Sequence, residues 1–340
     1  MKIGLVGYYG FGNFGDEWML ETMRLLAPQI EFTPFYYRGD GLWKISNDVD
    51  AILIGGGNIL IPLPAVSKSY FNPIFLEMGK PIIVWGVDFY LTGGYFYEGI
   101  EAINQFLIHP NVLGIWLRSP FDYSISQYLL RSEIIEKVYL CYDICYAYPV
   151  VPPTEWVKSA ALIALGERLS NFWTCETTQR LEDILRGLGY SEVAYIVLGW
   201  DEIGRRDWKF TKEVTRNVLI WRPTSVEETL NIMKRYDMVV TCKLHGAIAA
   251  ALLHKRIKIL SQDNKFFTLC LAISGLSMDD FILQLDEGNW KVVDFEAGEY
   301  CRASASATSI AKETFYEALQ ILLCHQVDDD SSERSNQSKP

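Results

Sequence analysis

Residues 2–20 read KIGLVGYYGFGNFGDEWML: an apolar, β-branched run, three glycines at GxGxxG spacing (Gly10, Gly12, Gly15), and the opening of an amphipathic stretch. Strand, glycine turn and helix in that order begin a doubly wound α/β domain. Alone, the glycines would suggest a dinucleotide site. Asp16 and Glu17 argue against one, because they stand at the helix start, where the macrodipole favours an anion and a pyrophosphate would otherwise sit. The second strand also ends in aromatics and Arg38, with no well-placed acid for a ribose. Two readings of the loop stay open. The glycines either only let the chain turn tightly, or they shape a loop lining a cleft, where Asn13 and Asp16 offer hydrogen bonds to a hydroxylated ligand.

The same alternation continues along the chain. Strands are expected at 2–8, 31–37, 51–54, 81–87, 114–117 and 138–142. After a proline-rich stretch at 149–153 a second series follows at 161–165, 193–198, 218–221, 238–241 and 256–260. Helices such as 17–26 and 226–236 fall between them, the latter opened by Ser225 and Glu228 at capping-box spacing. Alternating strands and helices give parallel sheets covered on both faces. The fold class is therefore α/β, with two Rossmann-like domains facing each other across a cleft. The expected domains are 1–150 and 151–325, the second carrying a closing amphipathic helix at 309–323 (Ile310, Phe315, Leu319, Leu322). The polar stretch 326–340 reads as a disordered tail.

The 340 residues are 49% hydrophobic and 21% charged, enough apolar mass for two cores. A formal charge of −11, from 31 basic and 42 acidic residues, argues against nucleic acid as partner. No run reaches the roughly 18–20 apolar residues of a membrane span, and the first residues read as a strand without a cleavable-signal pattern. The 7 cysteines are odd in number and lack CxxC pairs, which suits reduced thiols. Cys141 and Cys145 lie four apart with no histidine nearby in sequence, so no metal site is expected.

Chemistry is expected at strand ends. Gly55-Gly56-Gly57-Asn58 closes the strand 51–54, giving either a plain turn or close approach of a ligand or another backbone. Arg118 follows the strand 114–117, either lining the same edge or pairing with a surface acid, and Asp143 follows 138–142. Of the 4 histidines, His245 alone follows a strand (238–241) and opens a small-residue helix (246–253). Lys243 stands two residues before it, and Asp263-Asn264-Lys265 follows the next strand. Neighbouring parallel strands end side by side, so Lys243, His245 and Lys265 either converge on one anion pocket or are a buried histidine and two surface lysines. Tyr8, Tyr9 and Trp85 either stack on sugar rings or, the commoner fate of such residues, pack into the core.

In order and spacing these landmarks resemble the polysaccharide pyruvyl transferase family. The resemblance rests on Gly7-Tyr8-Tyr9-Gly10 through Asn13-Phe14-Gly15-Asp16-Glu17, on Gly55 to Asn58 after an apolar strand, and on Arg118 before a Ser/Leu-rich helix. Its strongest part is Leu244-His245-Gly246 with Lys265 twenty residues on; together the landmarks cover most of residues 1–275. The resemblance implies a GT-B-like domain pair, the first on the acceptor side and the second on the donor side. Phosphoenolpyruvate would be co-substrate, with no cofactor and no metal. The acceptor would be a sugar or glycan precursor, lipid-linked or nucleotide-linked, in exopolysaccharide or cell-envelope synthesis. The setting would be cytoplasmic, with peripheral contact at the inner membrane face left open. His245 and Lys265 fall on the catalytic positions, and Lys243, Lys265, Arg118 and Arg168 on donor binding. Asn13, Asp16, Glu17, Gly56, Gly57 and Asn58 fall on acceptor binding. Lys243 replaces the family's usual arginine, keeping the charge without a bidentate fork; Arg168 is an approximate match. Competing readings are a nucleotide-sugar glycosyltransferase of the same architecture and a catalytically inactive sugar-binding relative.

Overall fold

The computed structural model describes the whole chain except residues 38–42, 64–69, 91–96, 155–158, 172, 217–218, 262–263, 268, 287–288, 293–295 and 337–340. Arg38, Val218 and Asp263 therefore lie outside the described residues. Two compact units divide the chain. The first holds Met1–Tyr9, Leu20–Ile144 and Ser309–Pro340, and the second holds Gly10–Met19 and Cys145–Thr308.

In the first unit, β1 (Lys2–Val6), β2 (Glu31–Pro34), β3 (Ala51–Leu60), β4 (Ile82–Phe89), β5 (Val112–Leu117) and β6 (Val138–Leu140) form one sheet. Every pairing is parallel, in the order β2-β1-β3-β4-β5-β6. That order reverses between β1 and β3, the switch point at which doubly wound sheets bind ligands. Ile52, Ile54, Ile82, Val84, Ile115 and Leu117 fill the core on these strands, all fully buried. Sheets covered on both faces need such near-continuous apolar strands.

β3 runs through residues 55–58 instead of ending before them. Its register shifts between Gly57 and Leu60, and Gly56 (φ 80°) and Gly57 (φ 106°) occupy the left-handed region. The reason for glycine at position 55 is a neighbouring backbone. A Cβ there would lie 2.0 Å from the Trp85 carbonyl oxygen. Trp85 itself is a core residue, edge-on to Phe315 at 5.3 Å, and Tyr9 is buried; of the three aromatics considered for sugar stacking, Tyr8 alone is exposed.

The closing helix joins the first unit, not the second. It spans Ala305–Asn336, so the stretch expected as a disordered tail is helical as far as Asn336. From Ser309 on it belongs to unit 1, where Phe315 packs on Trp85 and Phe32, and the Tyr316 hydroxyl donates to the Leu26 carbonyl at 3.0 Å. The division falls after Ile144 rather than at 150.

In the second unit, β7 (Ala160–Ala164), β8 (Glu192–Ile196), β9 (Ile220–Trp221), β10 (Met238–Thr241) and β11 (Arg256–Ile259) make a parallel sheet in the order β9-β8-β7-β10-β11. Numbered within the unit this is 3-2-1-4-5, the Rossmann arrangement, with its switch point between β7 and β10. The helix Val226–Lys234 starts where expected. Ser225 Oγ accepts from the Glu228 N–H at 3.1 Å, while the Glu228 carboxylate accepts from the Thr224 N–H at 2.7 Å, one residue ahead of the expected box partner.

Candidate functional site

The expected site residues fall into two groups, one in each unit. In unit 1, Arg118 follows β5 and is buried at 7% exposure. Its Nε donates to Asp88 at 2.7 Å, Nη1 to Asp143 at 2.7 Å, and Nη2 to Asn58 Oδ1 at 3.1 Å and also to Asp88. Burial works against the charged guanidinium, and Asp88 and then Asp143 more than offset it, so its pKa is raised. Arg118 pairs with acids, but these are buried in unit 1 and neither is the surface acid expected. Asn58, expected to face an acceptor, is half-buried and holds this guanidinium.

Beside this cluster the helix Pro120–Leu129 is capped by Ser119, whose Oγ accepts from the Asp122 N–H at 3.0 Å. Asp122 Oδ1 accepts from the Phe89 N–H at 2.8 Å, and Oδ2 accepts from the Ser119 hydroxyl. Burial, with Asp88 second, pushes the Asp122 carboxyl up to about 7 against the pull of Ser119, Phe89 and Arg118.

In unit 2 the glycine loop is held by its own acid. Glu17 Oε1 accepts from the Gly10 N–H at 2.7 Å and the Gly12 N–H at 3.0 Å. Gly10 (φ 82°) and Gly12 (φ 75°) curl these amides inward. The carboxylate thus occupies the place a phosphate takes in a dinucleotide fold. Asn13 Nδ2 donates to the buried Asp16. Asn13 also forms an antiparallel bridge with Gly199, and the Trp200 N–H donates to the Gly12 carbonyl at 2.6 Å. Trp200, half-buried just beyond β8, is a residue that sequence reasoning missed.

His245 lies in the first turn of the helix Leu244–Leu252, directly after β10. Thr241 fixes that turn. Its Oγ1 accepts from the Lys243 N–H at 2.9 Å and donates to the Lys243 carbonyl at 3.1 Å. Gly246 permits the approach, since a Cβ there would lie 2.5 Å from that same Oγ1. The imidazole is half-buried, with its Nδ1 edge against Gly15 of the glycine loop, where a Cβ would come within 1.9 Å. Cys145, four residues after Cys141 in sequence, brings its thiol within 4.8 Å of a His245 ring nitrogen.

Cations follow three neighbouring strands of this sheet, β7, β10 and β11. Lys243 is half-buried and its Nζ pairs with Asp207 Oδ2 at 2.7 Å. Arg168 is exposed on the short 3₁₀ turn Glu167–Leu169 after β7. Lys265 is half-buried on the turn Asn264–Phe267 after β11, its ammonium 5.4 Å from the Phe266 ring centre. The Cys242 thiol registers all of them. Desolvation pushes it up to about 11; Lys243 pulls it down, Asp207 pushes it up, and Arg168 and Lys265 pull it down. Lys243, His245 and Lys265 each follow the carboxyl end of β10 or β11, which pair side by side.

Asp207, also missed, had a legible signal. In the helix Asp201–Val214 the buried positions are Gly204, Asp207, Phe210, Thr211 and Val214. A carboxylate on the apolar stripe of an amphipathic helix demands a buried partner.

Among the described residues no helix is long and apolar enough to cross a membrane. No curated protein matches the sequence. Three solved structures are similar at low identity. A functionally uncharacterized protein of Klebsiella pneumoniae has 15% identity and TM-score 0.43, over 79% of this chain and 88% of that one. MnaA of S. aureus, solved with UDP, has 10% identity and TM-score 0.49 over 94% and 88%. UDP-GlcNAc 2-epimerase of Neisseria meningitidis has 11% identity and TM-score 0.47 over 94% and 92%. The profile of the polysaccharide pyruvyl transferase family matches residues 13–263, a span that takes in the Asn13–Glu17 segment, Arg118, Lys243 and His245. The chain belongs to the polysaccharide pyruvyl transferase family.

Proposed function

We propose that this chain transfers the pyruvyl group of phosphoenolpyruvate onto two hydroxyls of a sugar, closing a cyclic ketal. One observation carries the reading: His245 opens a helix directly after β10, with Lys243 at its N-cap, Arg168 on the turn after the neighbouring β7 and Lys265 on the turn after the neighbouring β11. Phosphoenolpyruvate carries roughly three negative charges near neutrality, and clustered cations beside a helix N-terminus suit its phosphate and carboxylate. Three cations less Asp207 leave a net charge complementary to that ligand.

The reaction needs one proton delivered and one group expelled. A sugar hydroxyl adds to the enol carbon while a proton goes to the methylene carbon, which becomes the methyl. A second hydroxyl then attacks the same carbon and displaces inorganic phosphate. His245 carries the proton, because an imidazole can both give and take one. Lys265 and Lys243 hold the donor and stabilise the departing phosphate. Asn13 and Asp16, in the same unit as His245, offer the polar groups nearest in sequence to the glycine loop for an acceptor hydroxyl. The acceptor is a glycan precursor, and the setting is cytoplasmic.

A thermal-shift and calorimetry series tests this reading with phosphoenolpyruvate, a uridine diphosphate sugar and NAD as separate ligands. Phosphoenolpyruvate is expected to stabilise and bind the chain, with the response diminished in Lys265→Ala. A response to the nucleotide sugar with none to phosphoenolpyruvate would replace the pyruvyl donor with a glycosyl donor.

A further inference from the structure

Asp207 ties together the two strand ends that frame the unit 2 switch point. Its Oδ2 lies 2.7 Å from Lys243 Nζ, beyond β10, and its Oδ1 accepts from the Glu167 N–H, beyond β7, at 2.9 Å. The Asp207 side chain is 4% exposed and that of Lys243 is 20%. Beneath the lysine lies Gly166, where a Cβ would come 2.8 Å from Lys243 Cε and 3.3 Å from its Nζ. The ammonium therefore runs over a bare backbone and is gripped at its tip. We infer that Asp207 is a positioning residue: it holds the Lys243 ammonium over Gly166 and sets the net charge that the switch point offers to an anionic donor. The inference rests on the reading of Lys243 as a donor-binding residue.

An ammonium shared with a buried carboxylate is only partly available to an incoming anion. Lysine has one charged tip with three donors and no fork, so the same nitrogen must serve Asp207 and the donor together. Asp207 thus lowers donor affinity while fixing where the charge stands. Loss of a merely structural residue would loosen the strand ends and weaken anion binding. Loss of a charge-setting one tightens it. The sign separates the two.

Calorimetry with phosphoenolpyruvate, and separately with inorganic phosphate, on the full chain reads that sign. Asp207→Asn removes the charge and keeps an oxygen for the Glu167 N–H; it is expected to bind both anions about 3- to 10-fold more tightly. Lys243→Met is expected to bind them more weakly, and adding Asp207→Asn to it should change affinity by less than about twofold, because Asp207 acts through Lys243. Weaker or unchanged binding in the single Asp207→Asn variant overturns the inference, as does an undiminished Asp207→Asn effect in the Lys243→Met background. If Asp207→Asn does not fold, Asp207→Ser makes the same removal of charge with a smaller group and is read by the same sign. A wild-type chain that binds neither anion sinks the donor reading itself, and the charge-setting role with it, a result distinct from a wild type that binds and a variant that does not bind more tightly.

Discussion

Gly15 and His245 are packed so closely that a methyl group on Gly15 would overlap the imidazole, 1.9 Å from Nδ1 and 2.4 Å from Cε1. Gly15 does not have a left-handed φ, so its lack of a side chain serves the histidine and not the turn. The glycine loop and the helix Leu244–Leu252 therefore fix one ring between them. Gly15→Ala should leave the backbone intact and push the ring aside. A displacement of about 1 Å costs on the order of 100-fold in turnover. Imidazole NMR provides a check without an acceptor: the His245 signals should move while those of the other three histidines stay in place. Unmoved His245 signals would show that the ring tolerates the methyl and is not set by Gly15.

His245 and Lys265 should separate in their kinetic effects. His245→Ala removes the proton carrier and is expected to lower turnover roughly 100- to 10,000-fold with little change in phosphoenolpyruvate affinity. Lys265→Ala removes a charge that holds the donor and should weaken its binding about tenfold or more. Phosphate release and calorimetry on folded variants distinguish the two. Near-normal turnover in His245→Ala would remove the histidine from the reaction and direct attention to Asp16, buried in the same unit.

Much of this was legible from residue order. Strands ending in Leu117 and Thr241 end there in the structure, and β10 keeps its expected bounds. His245 stood out because a lone imidazole follows a strand and opens a small-residue helix. What order along the chain does not carry is the choice of partner. Residues 55–58 look like a turn, yet they continue β3, because the Trp85 carbonyl passes where a Cβ at Gly55 would stand. Arg118 resembles a ligand-binding cation, yet Asp88, thirty residues away, and Asp143 claim its fork. The closing helix follows the second strand series in sequence, yet Phe315 finds its aromatic neighbours, Phe32 and Trp85, in unit 1. Each correction comes from a long-range contact that local periodicity cannot rank.

Arg118 should prove a folding residue of unit 1. Removing the guanidinium leaves Asp88 and Asp143 buried at 4% side-chain exposure without their cation. Breaking a buried pair from one side costs about 3–5 kcal/mol, more than an apolar replacement of all partners. Arg118→Met should therefore lower the midpoint of chemical denaturation strongly, and adding Asp88→Leu and Asp143→Leu should recover part of the loss. Full stability in Arg118→Met, with a defect confined to phosphoenolpyruvate binding, would return Arg118 to the donor side.

Asp122 should make stability depend on pH in an unusual direction. Its folded carboxyl titrates at about 7, raised chiefly by burial and then by Asp88, while an unfolded aspartate titrates near 3.9. Below about pH 4 both states hold the proton and the group contributes no pH dependence. Between about 4 and 7 the unfolded chain releases a proton that the folded chain keeps, so the folded state loses relative stability as pH rises, by up to roughly 1.4 kcal/mol per pH unit. Above about 7 both states are ionised and the penalty levels off. Asp122→Asn mimics the protonated acid: its oxygen can still accept from the Phe89 N–H, and its amide can donate to Ser119 Oγ. The variant should match wild type near pH 4 and gain on it steadily to about pH 7, by a few kcal/mol at most. Urea denaturation of both proteins across pH 4–8 gives the difference directly, with other titrating groups common to the pair. Parallel curves would mean that Asp122 ionises in the folded chain as easily as in the unfolded one, with Ser119, the Phe89 N–H and Arg118 offsetting both burial and Asp88 in full.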